Sequence, residues 1–423
     1  MAKRGITGLL CALLLWSSQA VRADTLAFLA DDQLAQVKQQ LAQHQAAPQT
    51  VAAWQALQRQ ADKALQRPLM SVTDKTLTPP GGSKHDYLSL SAYWWPDSSK
   101  TDGLPWVQRD GEVNPASKNE QSDGVRLAAF TADVQALTLA WYFSGEQRYA
   151  DKAMAQLRHW FIAPQTRMNP NLRFAQGVPG IAPGRSSGIL DGRYFATRIV
   201  DSLLMLRHAP GWQASDDQAM QQWMSDYLHW LQSSKNGKKE AQAQNNHGNW
   251  YAVQVAGIAW YLQRPEVIKQ MVALAQSKLA YQVAADGTQP KELARTRSFH
   301  YSWFNLQALT ALAELAAKAN AGDLWRYQNA QQAGILRALD FMAPFSDDQK
   351  PWPYKSMDRV SVRIIPLLSL ADNRLQDNRY QHWIAQADFA AAGRQQGEKR
   401  GAVIDAQRET WLLSLPRGAQ MAK

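Results

Sequence analysis

Cysteine is almost absent: the 423-residue chain has one, Cys11, inside an apolar N-terminal stretch. A mature chain without that stretch carries no thiol, which excludes a disulfide framework, a thiolate metal site and a cysteine nucleophile. Metal-binding patterns are missing too. There is no HExxH, and the eight histidines are scattered singly, so neither a metal nor an organic cofactor is expected. The glycines of GVPGIAPGRSSG have the wrong spacing for a phosphate-binding loop, and no GK[ST] follows them. Nothing resembles a nucleic-acid-binding module. Past the N-terminus no segment reaches about 18 uninterrupted apolar residues, so no membrane span is expected after the leader. Strand-like alternation is scarce.

What is present begins with MAKRGITGLLCALLLWSSQAVRADT. Lys3 and Arg4, an apolar run from Ile6 to Trp16, and small residues ending at Ala20 or Ala23 are the three parts of a secretory signal peptide. We read residues 1–23 as a leader, cleaved after Ala23, and expect a periplasmic or secreted protein. The GLL before Cys11 is a poor lipoprotein signal. The chain has a net charge of +10, and removing Lys3, Arg4 and Arg22 leaves it basic. An excess of positive charge suits an anionic partner, although on charge alone solubility is the better explanation.

From residue 24 the pattern is mainly helical, with apolar residues recurring three and four apart in stretches such as TVAAWQALQRQADKALQ and NWYAVQVAGIAWYLQ. The helices come as hairpin-like pairs joined by short polar or Gly/Pro turns. Several such pairs in one domain point to an all-α fold, an (α/α) toroid whose inner helices surround a cleft; a helical solenoid is the rival. Residues 78–115, dense in Pro, Gly, Asp and aromatics, break the pattern. They read as an irregular segment, and a loop so long is uncommon unless it has a function of its own. No Pro- or Ser-rich linker divides the chain, so residues 24–415 are one domain and 416–423 a loose tail.

Two clusters carry candidate chemistry. In NNHGNWY, residues 245–251, Asn245 or Asn246 stands where a helix N-cap belongs. His247 then sits at a helix N-terminus, which disfavours an imidazolium and leaves a neutral imidazole able to act as a base. The plain alternative is a capping amide, a structural histidine, and Trp250 and Tyr251 in the core. In KELARTRSFHYSWFNLQAL, residues 291–309, Arg295 and Arg297 precede His300 and Tyr301 at another helix start. Two guanidiniums there can lower a tyrosine pKa from about 10. Tyr301 also shares a face with Phe304, Ala308 and Leu312, as a core residue would.

NNHGNWY, KHDYLSLSAYWWPD and ELARTRSFHYSWFNLQAL together resemble the alginate lyase family of α/α-toroid polysaccharide lyases, including its glucuronan-cleaving relatives. The resemblance implies β-elimination at a uronic acid of an anionic polysaccharide. The C5 proton is weakly acidic because its neighbouring carboxylate resists becoming an enediolate. Donors aimed at that carboxylate stabilise the developing charge. By resemblance Asn246 and Arg295 fill this role, with Arg297 the alternative to Arg295. Tyr301 is expected as the acid toward the C4 oxygen and as a base, and His247 as a base or carboxylate neutraliser. Tyr93, Trp94 and Trp95 are candidates for a sugar-stacking platform. Lys84, His85 and Arg193 are candidates for contacts to substrate carboxylates. Trp250 and His300 complete the substrate-binding candidates. Two rivals remain open: a glycoside hydrolase, for which Asp86, Asp97, Asp191 and Glu292 are available, and a noncatalytic uronan-binding protein.

Overall fold

A computed structural model of the chain describes residues 25–421. The expected leader, residues 1–23, lies outside the described residues. The helices that position the site are α1 (Pro48–Gln66), α2 (Asp123–Ser144), α3 (Gln147–Leu157), α4 (Asp201–Leu206), α5 (Ala214–Ser233), α6 (Lys235–Ala241), α7 (Asn246–Tyr261), α8 (Pro265–Gln282), α9 (Ser298–Lys318), α10 (Ile365–Leu375), α11 (Arg400–Trp411) and α12 (Arg417–Met421). Their ends follow local chemistry. Pro48 and Pro265 open α1 and α8, where a missing N–H costs nothing. Gly145 ends α2 in the left-handed region, with φ 73°.

The inner helices close on themselves. Helix α1 packs on α2, α2 on α4 and on the wide helical turn Phe195–Val200 before it, and that turn on α7. Helix α7 packs on α9, α9 on α10, α10 on α11, and α11 returns to α1. A solenoid would leave its first and last repeats apart; here they meet, and the ring encloses a cleft. Helices α3, α5 and α8 form an outer layer against α2 and α7. Sandwiched between that layer and the ring's interior, α7 and α9 are buried on nearly every side and apolar almost all round.

The segment over residues 78–115 is irregular for most of its length but carries three short strands: β1 (Leu88–Leu90), β2 (Trp94–Trp95) and β3 (Val107–Gln108). β2 pairs antiparallel with β3, and β1 pairs parallel with β4 (Phe174–Gly177). Just before the segment, a fully buried ion pair joins Lys75 Nζ to Asp123 of α2 at 2.7 Å. The Leu88 N–H donates to the same carboxylate at 2.9 Å.

Both ends of the described chain are tied down. Asp201 accepts the backbone N–H groups of Ala27, Phe28 and Leu29 at 2.6, 3.0 and 2.9 Å. Lys318 donates to the carbonyls of Leu26, Ala27 and Leu29. At the other end, residues 417–421 of the stretch expected as a loose tail form α12, which packs on α10. Arg417 reaches back to Gln376 at 2.6 Å. Leu415 is buried just before it.

Candidate functional site

The ring's interior is a cleft of about 1430 Å³, and His247, Tyr301, Tyr93, Trp94, Arg193 and His300 all line it. The start of α7 explains the first cluster residue by residue. Asn245 is the N-cap, its Oδ1 accepting the His247 N–H at 3.2 Å. Asn246 is fully buried, and its backbone N–H and Nδ2 both donate to Glu292, at 2.7 and 2.8 Å. It therefore pins α7 to the short helix Pro290–Leu293 and does not face the cleft; Asn245 does. Asn249 donates to Gln282 and Asn305, and Asn305 in turn to Gln289, a buried amide chain joining α7 to α8 and α9. Trp250 packs on Phe304, ring centroids 4.9 Å apart, and is almost wholly buried at the cleft wall.

His247 has a carboxylate behind it. Its Nδ1 lies 2.6 Å from Glu240 on α6, and Glu240 is only 3% exposed. A carboxylate there accepts from Nδ1–H, and in the neutral ring this leaves the Nε2 lone pair free. Nothing in the spacing of KKEAQAQNNH marks Glu240 for this, because the turn between α6 and α7 brings the two together.

The second cluster meets the long irregular segment. The Tyr301 hydroxyl, in the first turn of α9, lies 3.1 Å from the Tyr93 hydroxyl, which also accepts from Arg297 at 3.2 Å. The Arg295 guanidinium sits 3.8 Å over the Tyr301 ring. Arg295 is bound to both oxygens of Asp110, just after β3, and Arg297 to both oxygens of Asp358. These guanidiniums hold the Asp110 and Asp358 carboxyls down to about 2. The Tyr301 hydroxyl is raised well above its ordinary value, by burial first and by Tyr93 second. The lowering anticipated from two nearby arginines does not prevail: the lowering that Arg295 exerts is outweighed by burial and by Tyr93. At neutral pH the phenol holds its proton.

The remaining candidates divide. Trp94 faces the cleft with Arg185 5.2 Å over its ring. Trp95 turns away, its Nε1 donating to the Glu112 carbonyl, and Arg109 lies over it. Lys84 is exposed outside the cleft, and His85 binds the Arg167 carbonyl at 2.7 Å. Neither lines the cleft, and Asp86 beside them is held by Ser83 and Asn169. Arg193 donates to the Leu190 carbonyl and the Tyr194 hydroxyl. His300 accepts from Arg363 at 3.0 Å, and burial, with Arg297 and then Arg363 nearby, pushes its pKa well below 6.5, so it is neutral. Of Asp86, Asp97, Asp191 and Glu292, only Asp191 lines the cleft, and it already accepts from Tyr87, Ser89 and Gln176. These four supply no pair of carboxylates facing one another across a bound sugar. Sequence reasoning missed Glu240, Asp110, Asp358 and Arg363, each of which acts through a partner that the chain's folding, not its local pattern, brings to it.

The family model for alginate lyase matches residues 71–352. The chain belongs to the alginate lyase family. It is a polysaccharide lyase, and its ring of helices is the all-α, α/α toroid of that family. An alginate lyase from Bacteroides ovatus is 33% identical with a TM-score of 0.80, covering 86% of this chain and 95% of that one. A histidine-to-alanine variant of alginate lyase A1-III, an enzyme of Sphingomonas species A1, was solved in complex with a tetrasaccharide. It is 16% identical with a TM-score of 0.52, covering 82% of this chain and 88% of that one, and supports the fold alone. No curated protein matches this chain. Among the described residues, no helix is long and apolar enough to cross a membrane.

Proposed function

We propose that the protein is an exported lyase that cleaves alginate, or a related glucuronan, by β-elimination between C4 and C5 of a uronic acid. The observation that carries this reading is the pairing, on one cleft, of an imidazole whose Nδ1 is held by Glu240 with a protonated phenol, Tyr301. His247 Nε2 takes the C5 proton. The C5–H electrons form the C4=C5 double bond, the C4–O4 bond breaks, and O4 takes the Tyr301 proton. The products are an unsaturated uronate on one fragment and a free hydroxyl on the other. Glu240 stabilises the imidazolium that forms, as the buried acid of a triad does. Tyr93, touching the Tyr301 hydroxyl, gives the phenolate a route to recover a proton. Charge building on the substrate carboxylate is met by the arginine-rich wall of the cleft. Trp94 offers its face to the apolar face of a pyranose. The N-terminal leader pattern supports export to the periplasm or beyond.

His247 reaches a C5 proton on the face opposite O4, while Tyr301 alone would serve one on the same face. Purified protein incubated with polymannuronate, polyguluronate, mixed alginate and glucuronan should generate the ultraviolet absorbance of a conjugated double bond with at least one polymer. Tyr301→Phe and His247→Ala should each lower that rate about 100-fold or more. New reducing ends without that absorbance would make the protein a hydrolase, and full activity in both variants would remove these two residues from the mechanism.

A further inference from the structure

Helix α8 brings a lysine up behind the pair formed by His247 and Glu240. Lys278 is 3% exposed and does not line the cleft, so it is out of reach of a bound polymer. Its Nζ donates to the carbonyl of Ala241, the last residue of α6, at 2.6 Å. Ala241 follows Glu240 in the chain, so the ammonium is held one residue from the carboxylate that accepts from His247 Nδ1. The same ammonium lies against Gly248, the residue after His247. Among the described residues it donates only to that one carbonyl and comes close enough to no carboxylate for an ion pair. An ammonium buried on a single neutral acceptor is costly, and an apolar side chain would fill the same space without that cost. Burial pulls the Lys278 pKa down to about 8, and the charge of Glu240 opposes the fall.

The charges around the imidazole come from several elements. Glu240 on α6 and Glu292 on the short helix Pro290–Leu293 act on His247 with negative charge. Lys278 on α8 and Arg185 in the cleft wall act on Glu240 with positive charge. Arg295 acts on Glu292, but it is also paired with Asp110. A carboxylate beside an imidazole serves two opposed ends. It stabilises the imidazolium that forms in the transition state, yet it also favours an imidazolium before substrate arrives, and a protonated ring cannot take the C5 proton. A cation placed behind the carboxylate offsets the second effect. We propose that Lys278 is a positioning residue that acts through Glu240: its ammonium balances the buried carboxylate and so keeps His247 available as the base at neutral pH. This inference rests on the lyase reading above, with His247 as the base.

The test uses Lys278→Met in the full-length protein, which keeps most of the buried volume and removes the charge. The acid limb of the kcat/KM profile should move up by roughly half to one pH unit, so that the rate on that limb falls about three- to tenfold while the plateau changes less than about threefold. A lysine that only packs would lower the rate by one factor at every pH, and that result, or an unmoved profile, would overturn the proposal. In a Glu240→Gln background Lys278→Met should move the limb by less than about 0.2 pH unit, because the carboxylate it acts through is gone. A shift there as large as in the wild type would overturn it as well. Histidine-ring NMR of the folded protein, with His247 assigned by comparison with His247→Ala, reads the same charge without turnover. In the wild type the His247 ring signals should show a second, smaller inflection near pH 8 as Lys278 loses its proton, and Lys278→Met should lack it. A wild-type titration without that inflection would overturn the proposal even if no polymer were cleaved or the variant did not fold. Absence of cleavage by the wild type would count only against the lyase reading.

Discussion

Gly248 is the point at which the site can be broken by a single methyl group. A Cβ there would lie 2.0 Å from Lys278 Nζ and 2.1 Å from the Ala243 carbonyl oxygen. The lysine end is mobile in principle, but it is buried and donates to the Ala241 carbonyl at 2.6 Å. The Ala243 carbonyl is backbone and withdraws only if the turn leading into α7 moves. Restoring ordinary contact demands a shift of about 1 Å. That shift carries His247 away from Glu240 and Asn246 away from Glu292, contacts now at 2.6 and 2.7 Å. Gly248→Ala should therefore cost about 1–3 kcal/mol of stability as overpacking. The elimination rate should fall about 100-fold, the usual penalty for a catalytic group displaced by about 1 Å. Initial rates from double-bond absorbance and a thermal melt measure the two effects separately. A variant with kcat within about twofold of wild type and an unchanged melting temperature would refute the argument that Gly248 sets the position of the imidazole.

Other perturbations probe other parts of the same arrangement. Glu240→Gln keeps the volume but removes the charge that stabilises the imidazolium, so kcat should fall about 100-fold with KM little changed; steady-state kinetics on a cleaved polymer decide it. Asp110 and Asp358 have folded pKa values lowered to about 2. The stability their ion pairs lend is complete above their unfolded value of about 3.9 and is lost as the pH falls toward 2. Melting temperature plotted against pH should drop through that window, and Asp110→Asn should flatten the drop; an identical slope in the variant would contradict the assignment. Asp201→Asn weakens the clamp on Ala27, Phe28 and Leu29 and should cost about 3 kcal/mol in urea unfolding. A loss below about 0.5 kcal/mol would mean that the N-terminal strap is not part of the folded core.

Helices such as α7 and α9 were legible in the sequence because one helix carries its own signal: apolar spacing, a capping amide at Asn245, a proline or glycine at the boundary. The helix pairs also pointed to a toroid, but which helices close the ring was not legible, since that depends on α11 meeting α1 across the whole chain. The same division runs through the site. His247, Tyr301 and Tyr93 could be singled out as chemically suited residues. Their partners Glu240 and Asp110 could not, because an acid that orients a base or neutralises an arginine is indistinguishable in sequence from one that is merely solvated. Lys84 and His85 fail for the converse reason: their residue types suit a carboxylate, but neither lines the cleft.

Charge neutralisation also decides which arginines matter. By residue type, Arg295 and Arg297 look like the carboxylate binders, since they flank the reacting tyrosine in the chain. Each forms a bidentate pair that lowers an aspartate. Their work is to fix the start of α9 against the irregular segment and so to hold Tyr301 beside Tyr93. Arg193 and Arg363 come from separate parts of the chain and meet only when the ring closes. They retain their charge inside a half-buried cleft, where the low dielectric strengthens its pull on an anion. Residues that fix the tyrosine are thus visible as a sequence cluster, whereas Arg193 and Arg363 are not.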